Sequence, residues 1–548
     1  MNLFVAGWSD ARPVEAGVAM RALGQLLARL PFFPESAPQQ WSSSGRRAAA
    51  AWIAHPPEKI GGHEYAMQAR DWIYLWSGHR GSRFVEVGAT EQALHVDQSP
   101  MGSYPVYEAV VDDIRWVSNN PTLLRELTGD RGIDESVAAS LLAGGWSLSG
   151  DPLWRGVRRI PTAGPDPIPL IGRGLDALEA AAELVDVTRA LMDWPGRPNV
   201  VPVTAGRDSR LVLAAATKTG IAFEANTGGR PGEPEVEVGR QLAEIAGVKH
   251  WLIPDDPHGS LHADWRRAAE LLELTTGGTA SLADAVGFPH GPRKGPLPLW
   301  HSGQGGEIAR SYYARAGGRT RGQLADSLYT VFAMRRPGRR EPLNDHGEAL
   351  VRDQITAWVD QVLQAGASPA DVPDLFYLQK RMGTWAGPTH GAVEYVRDTT
   401  SPLWHERMLP HLLALPAADR AAERFHHEVL NELSPELAGA PGWFKPTTKL
   451  ERRAARAQSL TRKAITEARR RTRRGPRQGT PVPGQPTPPD PFDTVRAELR
   501  QAVADQPQHA AWNVLDRSRA EALLGAPDLD DAQRYYAWRI ATLFGSPR

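Results

Sequence analysis

The sequence predicts an α/β protein in three parts: a layered α+β domain over residues 1–165, a parallel-sheet α/β domain over 175–450, and a helical C-terminal segment over 492–548. Three observations lead there. Up to about residue 130 the chain alternates short β-branched and aromatic runs with turns, as antiparallel strands do. From about residue 175, amphipathic helices alternate with buried apolar strands, which implies parallel βαβ units with right-handed crossovers. A basic run and a proline-rich stretch, together 451–491, then separate this body from the last helices.

Taken in order, ARPVEAGVAMRALGQLLARL sets Leu23, Leu26, Leu27 and Leu30 on one face and predicts a helix. DWIYLWSG, SRFVEVGA, ALHVDQS, YPVYEAVV and IRWVSN predict strands. IDESVAASLLAGGW predicts a capped helix leading out of the domain. LWRGVRRIPTAGP, from Leu153, reads as a loop turning back into a short hairpin. LDALEAAAELVDVTRALMDW predicts an amphipathic helix. The strands NVVPVT, IAFEANT and KHWLIP then alternate with the helices DSRLVLAAATKTG and EPEVEVGRQLAEIAG, and PLPLWHSG predicts a strand running into the turn GQGGE. Between Lys449 and Arg474 there are eleven Lys or Arg against two Glu, which reads as a solvated basic face. GPRQGTPVPGQPTPPDP reads as a linker or disordered loop. DTVRAELRQAVAD, RAEALLG and AQRYYAWRIATLFG predict helices that dock back on the body.

Composition excludes several function classes. Lys plus Arg equals Asp plus Glu, 63 each, so no global field favours nucleic acid or an anionic membrane. There is no cysteine, which rules out disulfides, thiolate metal sites and a cysteine nucleophile, and fits a cytoplasmic protein. MNLFVAGWSDARP lacks the basic and apolar regions of a secretory signal, and no apolar run is long enough to predict a transmembrane helix. The heavy use of Arg, Pro, Gly and Ala points to a GC-rich, actinobacterial type of genome.

The chemistry centres on VPVTAGRDSRL, from Val201. A strand ends there on a short polar turn and a helix begins. The carboxyl ends of parallel strands are where open α/β sheets bind ligands. Gly206 permits close backbone approach, the helix start offers free N–H groups, and Thr204 and Ser209 add hydroxyls. Asp208 repels phosphate but suits a bridging Mg²⁺. The same residues fit a helix merely capped by Asp208 or Ser209. The spacing is not that of a Walker loop.

TAGRDSR resembles the SGGxDS pyrophosphate loop of the asparagine synthetase superfamily, the N-type ATP pyrophosphatases. Three further stretches resemble that family in the same order. In VDQSPMGSYPVYEAVVDDIRWVSNNPTLLREL, Gly102, Pro105 and Tyr107 match a D-x-x-G-x-x-P-x-Y pattern, with Asp97 two residues further upstream than the pattern asks. LWRGVRRIPTAG resembles the connector F-x-G-I-x-x-L-P-P-G, and HSGQGGE resembles the turn S-G-D-G-A-D-E. The resemblance implies an Ntn-hydrolase-like glutaminase domain followed by an asparagine-synthetase-like ATP-binding domain. Since the sequence starts Met1-Asn2-Leu3 and lacks cysteine, the glutaminase is expected to be inactive. The implied branch holds β-lactam synthetases and lasso-peptide macrolactam cyclases, in which ATP adenylates a carboxylate and an amine of the same molecule attacks it. A lasso-peptide cyclase is the expectation. A β-lactam- or asparagine-synthetase-like ligase on a small acid, and an inactive scaffold, are the alternatives. The implied substrate is a peptide or small-molecule carboxylate, with a leader-binding protein and a leader peptidase as partners.

The resemblance also implies roles. ATP and Mg²⁺ are the cofactors. Thr204, Gly206, Arg207, Asp208 and Ser209, with Gly303 of the second turn, would clamp the pyrophosphate, and Arg210 would neutralise phosphate or serve as a salt-bridged helix residue. Asp208 and Glu307 would hold Mg²⁺. Glu235 reads as a solvated carboxylate at a helix start. Gln304 stands where the β-lactam branch has a catalytic tyrosine, and it is expected to orient the substrate carboxylate. Glu394, in VEYVRDTTSPLWHERM, corresponds to the glutamate that supports that tyrosine, and without the tyrosine Glu394 alone, or the substrate amine's own low pKa, would have to serve for its deprotonation. Lys445 in GWFKPTTK, with Lys449 second, corresponds to the lysine that neutralises the oxyanion. Tyr312 and Tyr313 read as core, and His426 and His427 as structural or surface residues.

Overall fold

Residues Leu3 to Ala6 alternate between two apolar environments, and both are filled. Leu3 and Val5 pack toward helices, while Phe4 and Ala6 pack toward a second sheet. The computed structural model that shows this describes residues 2–32, 37–54, 66–79, 83–162, 166–194, 197–254, 264–284, 298–334, 341–395, 397–440, 491–526 and 529–545. The basic run from Lys449, the proline-rich stretch and Lys445 lie outside these residues.

The N-terminal region runs β1 Asn2–Trp8, α1 Ala16–Leu27, β2 Gln39–Ser42, β3 Ala48–Ala54, β4 Ala66–Gln68, β5 Trp72–His79, β6 Arg83–Thr90, β7 Leu94–Gln98, β8 Tyr107–Val111 and β9 Ile114–Ser118. Then come α2 Pro121–Thr128, α3 Glu135–Gly144 and the two-residue β10 Arg158–Arg159. A six-stranded antiparallel sheet in the order β10-β8-β9-β1-β3-β2 lies against a four-stranded antiparallel sheet, β4-β5-β6-β7. Ile73, Leu75, Val85 and Val87 fill the space between them. LWRGVRRIPTAGP forms no hairpin of its own among the described residues. Its strand, β10, adds to the edge of β8. Asn120 and Asp134 cap α2 and α3 through side-chain oxygens, the second at the helix that the sequence predicts to be capped.

The second region alternates α4 Ala177–Met192, β11 Asn199–Pro202, α5 Arg207–Thr219, β12 Phe223–Gly229, α6 Pro234–Ile245 and β13 His250–Pro254, followed later by β14 Leu299–His301 and β15 Thr399–Thr400. These strands form a fully parallel sheet in the order β13-β12-β11-β14-β15. Successive strands step one way from β11 to β13, and the chain then returns to the other side of β11 for β14 and β15. The order therefore reverses between β11 and β14. One polar contact beneath that point ties three strands together. Buried His301 hydrogen-bonds Asn199 Oδ1 at 2.8 Å and Thr400 Oγ1 at 2.7 Å.

The core does not follow chain order. The helices Trp265–Thr276, Arg321–Phe332 and Asp345–Gln364 share one apolar cluster with the N-terminal sheet and with the C-terminal helices Pro491–Ala504 and Asp531–Phe544. Docking of the last helix is specific. Arg539, 2% exposed, donates to the carbonyl of Ala143 at 2.5 Å and covers the open C-terminal end of α3. No helix of the described residues is long and apolar enough to cross a membrane. Ile540 beside Arg539 is fully buried, so Ile540→Ala should cost roughly 2–5 kcal/mol in chemical denaturation. A loss below about 1 kcal/mol would mean that this helix is not part of the core.

Candidate functional site

The turns TAGR and SGQGGE leave the carboxyl ends of β11 and β14, the two neighbours at which strand order reverses. Adjacent strands whose connections diverge leave a crevice at that point. Glycine closes the two turns on each other. A Cβ at Gly303 would overlap the backbone of Asp208 and Ser209, and one at Gly306 would overlap the Asp208 carboxylate. Gly305, at φ +101°, lies against the backbone of Leu403 and Trp404.

The first turn is closed mostly by its own oxygens. Ser209 Oγ accepts the Thr204 N–H at 3.1 Å, Thr204 Oγ1 accepts the Gly206 N–H at 3.0 Å, and Glu235 Oε1 accepts the Ala205 N–H at 3.3 Å. Glu235 is thus a strut for the turn and not simply a solvated carboxylate. Gly206 is the N-cap of α5, and no side chain caps the helix. No side-chain cap therefore takes the N–H groups of its first turn, donors of the kind that suit an anion. Neither Asp208 nor Ser209 serves as the cap.

Charge at the site is dense and largely buried. Asp208 Oδ1 accepts from His426 Nε2 at 2.7 Å, and Asp208 Oδ2 lies 3.1 Å from Arg310 Nη2. The same Nη2 lies 3.4 Å from Glu307 Oε1. Burial pushes the Asp208 pKa up, but the hydrogen bond and charge of His426, with Arg310 and Arg207, outweigh it and hold the group below the usual range. Burial, and then the charge of Asp208, raises Glu307. The two carboxylates are thereby pushed apart, with Asp208 the one kept ionised. Arg207 pairs with Glu423, which is fully buried.

Strained backbone aims these groups. Ser311, next to Arg310, has φ 47°, and Glu423, ahead of the helix Arg424–Leu433 that carries His426, has φ 62°. Each such residue costs on the order of 1–3 kcal/mol and persists only where its surroundings dictate it. Ser311 Oγ donates to Asp374 at 2.7 Å, and Asp374 is held by the fully buried Arg420.

The structure brings Thr204, Gly206, Arg207, Asp208, Ser209, Gly303, Gln304 and Glu307 together in this crevice. Other expectations are corrected. Arg210 does not face phosphate: it is fully buried, and its Nη1 donates to the carbonyls of Leu437 at 3.0 Å and Ala440 at 2.8 Å. Glu394 is not free to act as a base, because its carboxylate is buried and paired at 2.8 Å with Arg83 of the N-terminal region. Asp208 and Glu307 do not fit a Mg²⁺ pair as they stand. Arg310 already bridges them, His426 takes another Asp208 oxygen, and no cluster of three or more metal-ligating side chains occurs among the described residues. Tyr313 packs into the core as expected, whereas Tyr312 is 54% exposed beside Arg310.

Arg310, Glu423 and His426 are the residues that sequence reasoning missed. His426 carries no local motif, and its partner is 218 positions away. Three buried atoms here have no hydrogen-bond partner among the described residues: Gln304 Oε1, Arg310 Nε and His426 Nδ1. Unsatisfied polar atoms gathered at one crevice call for a polar ligand. Compared with protein-family models and with curated proteins, the chain matches none.

The close approach of the turns is testable at one atom. Gly303→Ala should force them apart and cost about 1–3 kcal/mol in thermal denaturation. Gly228→Ala, where a Cβ meets nothing within 4 Å, should be nearly neutral. Equal effects from the two would show that the turns do not depend on this contact.

Proposed function

We propose that this chain is an ATP-dependent carbon–nitrogen ligase of the asparagine synthetase superfamily, from its glutaminase-deficient branch. In this reading it activates a carboxylate and joins it to an amine of the same molecule, as in lasso-peptide macrolactam formation. One observation carries it: the SGGxDS-like and SGDGADE-like turns, remote in sequence, meet at the strand-order reversal of a parallel sheet. The N-terminal pair of antiparallel sheets, with no cysteine in the chain, supports a glutaminase-like domain that has lost its nucleophile.

ATP, when bound, supplies the activation of the carboxylate. The chain's own residues divide the remaining work. The N–H groups at the start of α5, which no side chain caps, suit the oxygens of a phosphate chain. Arg310 Nε, buried and without a partner among the described residues, suits the same negative charge. Gln304 Oε1 can accept from a substrate N–H and so orient it. Asp208 holds Arg310 and His426 in place and keeps its charge. Arg310 Nη2 lies between Asp208 and Glu307, so these two carboxylates are engaged by a guanidinium. Lys445, outside the described residues, keeps the oxyanion role that the resemblance gives it.

A nucleotide-fold scaffold without turnover is the second reading. It is favoured by Arg310 standing between the two carboxylates and by a glutamine where a base would act. The test is pyrophosphate release from ATP, Mg²⁺ and a candidate precursor peptide. We expect AMP and pyrophosphate in equal amounts and at least a hundredfold loss in Asp208→Ala, or roughly 2.7 kcal/mol of barrier. Unchanged turnover in Asp208→Ala would overturn the site assignment. ATP binding without AMP formation on any carboxylate would decide for the scaffold.

A further inference from the structure

Beside the crevice one helix is wound wider than an α-helix. Between the short helices Val372–Phe376 and Gly387–Val393 the chain continues as a π-helix, Tyr377–Ala386. Such i→i+5 winding is rare and occurs mostly at functional sites. The N-terminal region holds this segment in place. Arg159 donates to the carbonyls of Gly383 at 2.6 Å and Gly102 at 2.8 Å, and a Cβ at Gly387 would overlap the Gly102 oxygen. The start of the π-helix adjoins the crevice. Arg310 lies over the Tyr312 ring, which is 5.2 Å from the ring of Tyr377. Burial, and then the charge of Glu307, holds the Tyr377 hydroxyl well above its ordinary pKa, against Arg381 of its own helix and Arg310.

One stripe of this helix gathers donors. Residues four and five apart share a face where i→i+5 bonds close each turn. Arg381 and Trp385 are four apart, and Lys380 and Trp385 are five. The half-buried Arg381 guanidinium lies 3.3 Å from the centre of the Trp385 ring and 5.9 Å from that of the buried Trp146. It forms no hydrogen bond or ion pair among the described residues, and neither does the ammonium of half-buried Lys380. Burial, and then Arg159, brings the Lys380 pKa down to about 8, with Asp151 acting the other way. Asp151 is itself turned to the backbone N–H of Arg159, which its Oδ1 accepts at 2.8 Å. The indole N–H of Trp385 is a third donor, buried and without an acceptor among the described residues. Neighbouring cations drawn out of water disfavour each other's charge, and an anion between them relieves that cost.

The surroundings select the kind of anion. With one face of its guanidinium on the Trp385 ring, Arg381 offers a ligand its edge, a planar fork that two carboxylate oxygens match. The indoles of Trp146 and Trp385 add apolar contact, which an organic acid uses and inorganic phosphate does not. We infer that Lys380, Arg381 and Trp385 form a binding site for a carboxylate, as carried by an acidic side chain or a small organic acid. None of the three belongs to either turn of the crevice. Under the ligase reading this is a docking point for the acidic substrate. The inference concerns binding alone and does not rest on that reading.

Calorimetric titration of the full chain without ATP tests it. The probes are Nα-acetyl-glutamate methylamide, its neutral glutamine counterpart, a short amidated peptide with one glutamate, and inorganic phosphate. We expect saturable binding of a glutamate probe, at least tenfold weaker binding of the glutamine probe and of phosphate, and a comparable loss in Arg381→Gln. Lys380→Gln should weaken the glutamate probes at least threefold, so an Arg381→Gln chain that misfolds leaves the test intact. Binding of the peptide alone would place the carboxylate on a polypeptide, binding of the small probe alone on a small acid, and binding of both on either source. Equal affinity for glutamate and glutamine probes, phosphate as tight as glutamate, wild-type affinity in either variant, or no saturation at about 10 mM would overturn the site. With no ATP present, the outcome is separate from that of the pyrophosphate assay.

Discussion

Two carboxylates, Asp208 and Glu307, stand largely buried at the ends of adjacent parallel strands, and a single guanidinium, Arg310, lies between them. Two like charges at this distance inside a protein repel strongly unless a cation is shared or one of them takes a proton. Much of the surrounding architecture serves that arrangement. β11 and β14 must be neighbours for the turns to meet, and His301 binds those strands together below. Gly303 and Gly306 let the backbones touch. Ser311, in a left-handed conformation and tied to Asp374, directs the residue before it.

Arginine plays this part across the molecule. Arg83 pairs with Glu394 between the N-terminal region and the parallel-sheet region, Arg125 with Glu273, Arg197 with Asp398, and Arg420 with both Asp371 and Asp374. Arg210 and Arg539 instead satisfy backbone carbonyls inside the core. Guanidinium is more weakly hydrated than ammonium and presents a fork of donors, so it tolerates burial better than lysine does. Removing one member of such a pair typically costs 3–5 kcal/mol, because the other is left buried and uncompensated. Buried guanidinium groups thus make several of the connections through the interior.

Periodicity made part of the fold legible. The antiparallel strands of the N-terminal region, the parallel sheet after Leu175 and the C-terminal helices follow from patterns repeated over many residues, where local preference and burial agree. β10 was not legible, because two residues carry no pattern and its partner lies fifty positions back. At the site, the turn Thr204–Ser209 and the glycines of SGQGGE stood out because a strand end, a tight turn and a helix start need particular residue types. The roles of single charged residues did not. Arg207 and Arg210 look alike in sequence, yet one reaches the crevice rim and pairs with Glu423, and the other is buried under Leu437 and Ala440.

The sequence by itself determined a good part of the strands and helices, and that two glycine-bearing turns follow apolar strands. Those features depend on φ/ψ preference and on apolar spacing, both local properties. Only the tertiary structure decided that β11 and β14 lie side by side, that Arg310 bridges Asp208 to Glu307, and that His426 completes the cluster. Pairings of this kind join residues tens to hundreds of positions apart, and strand order and helix packing set them, neither of which leaves a periodic trace in the chain.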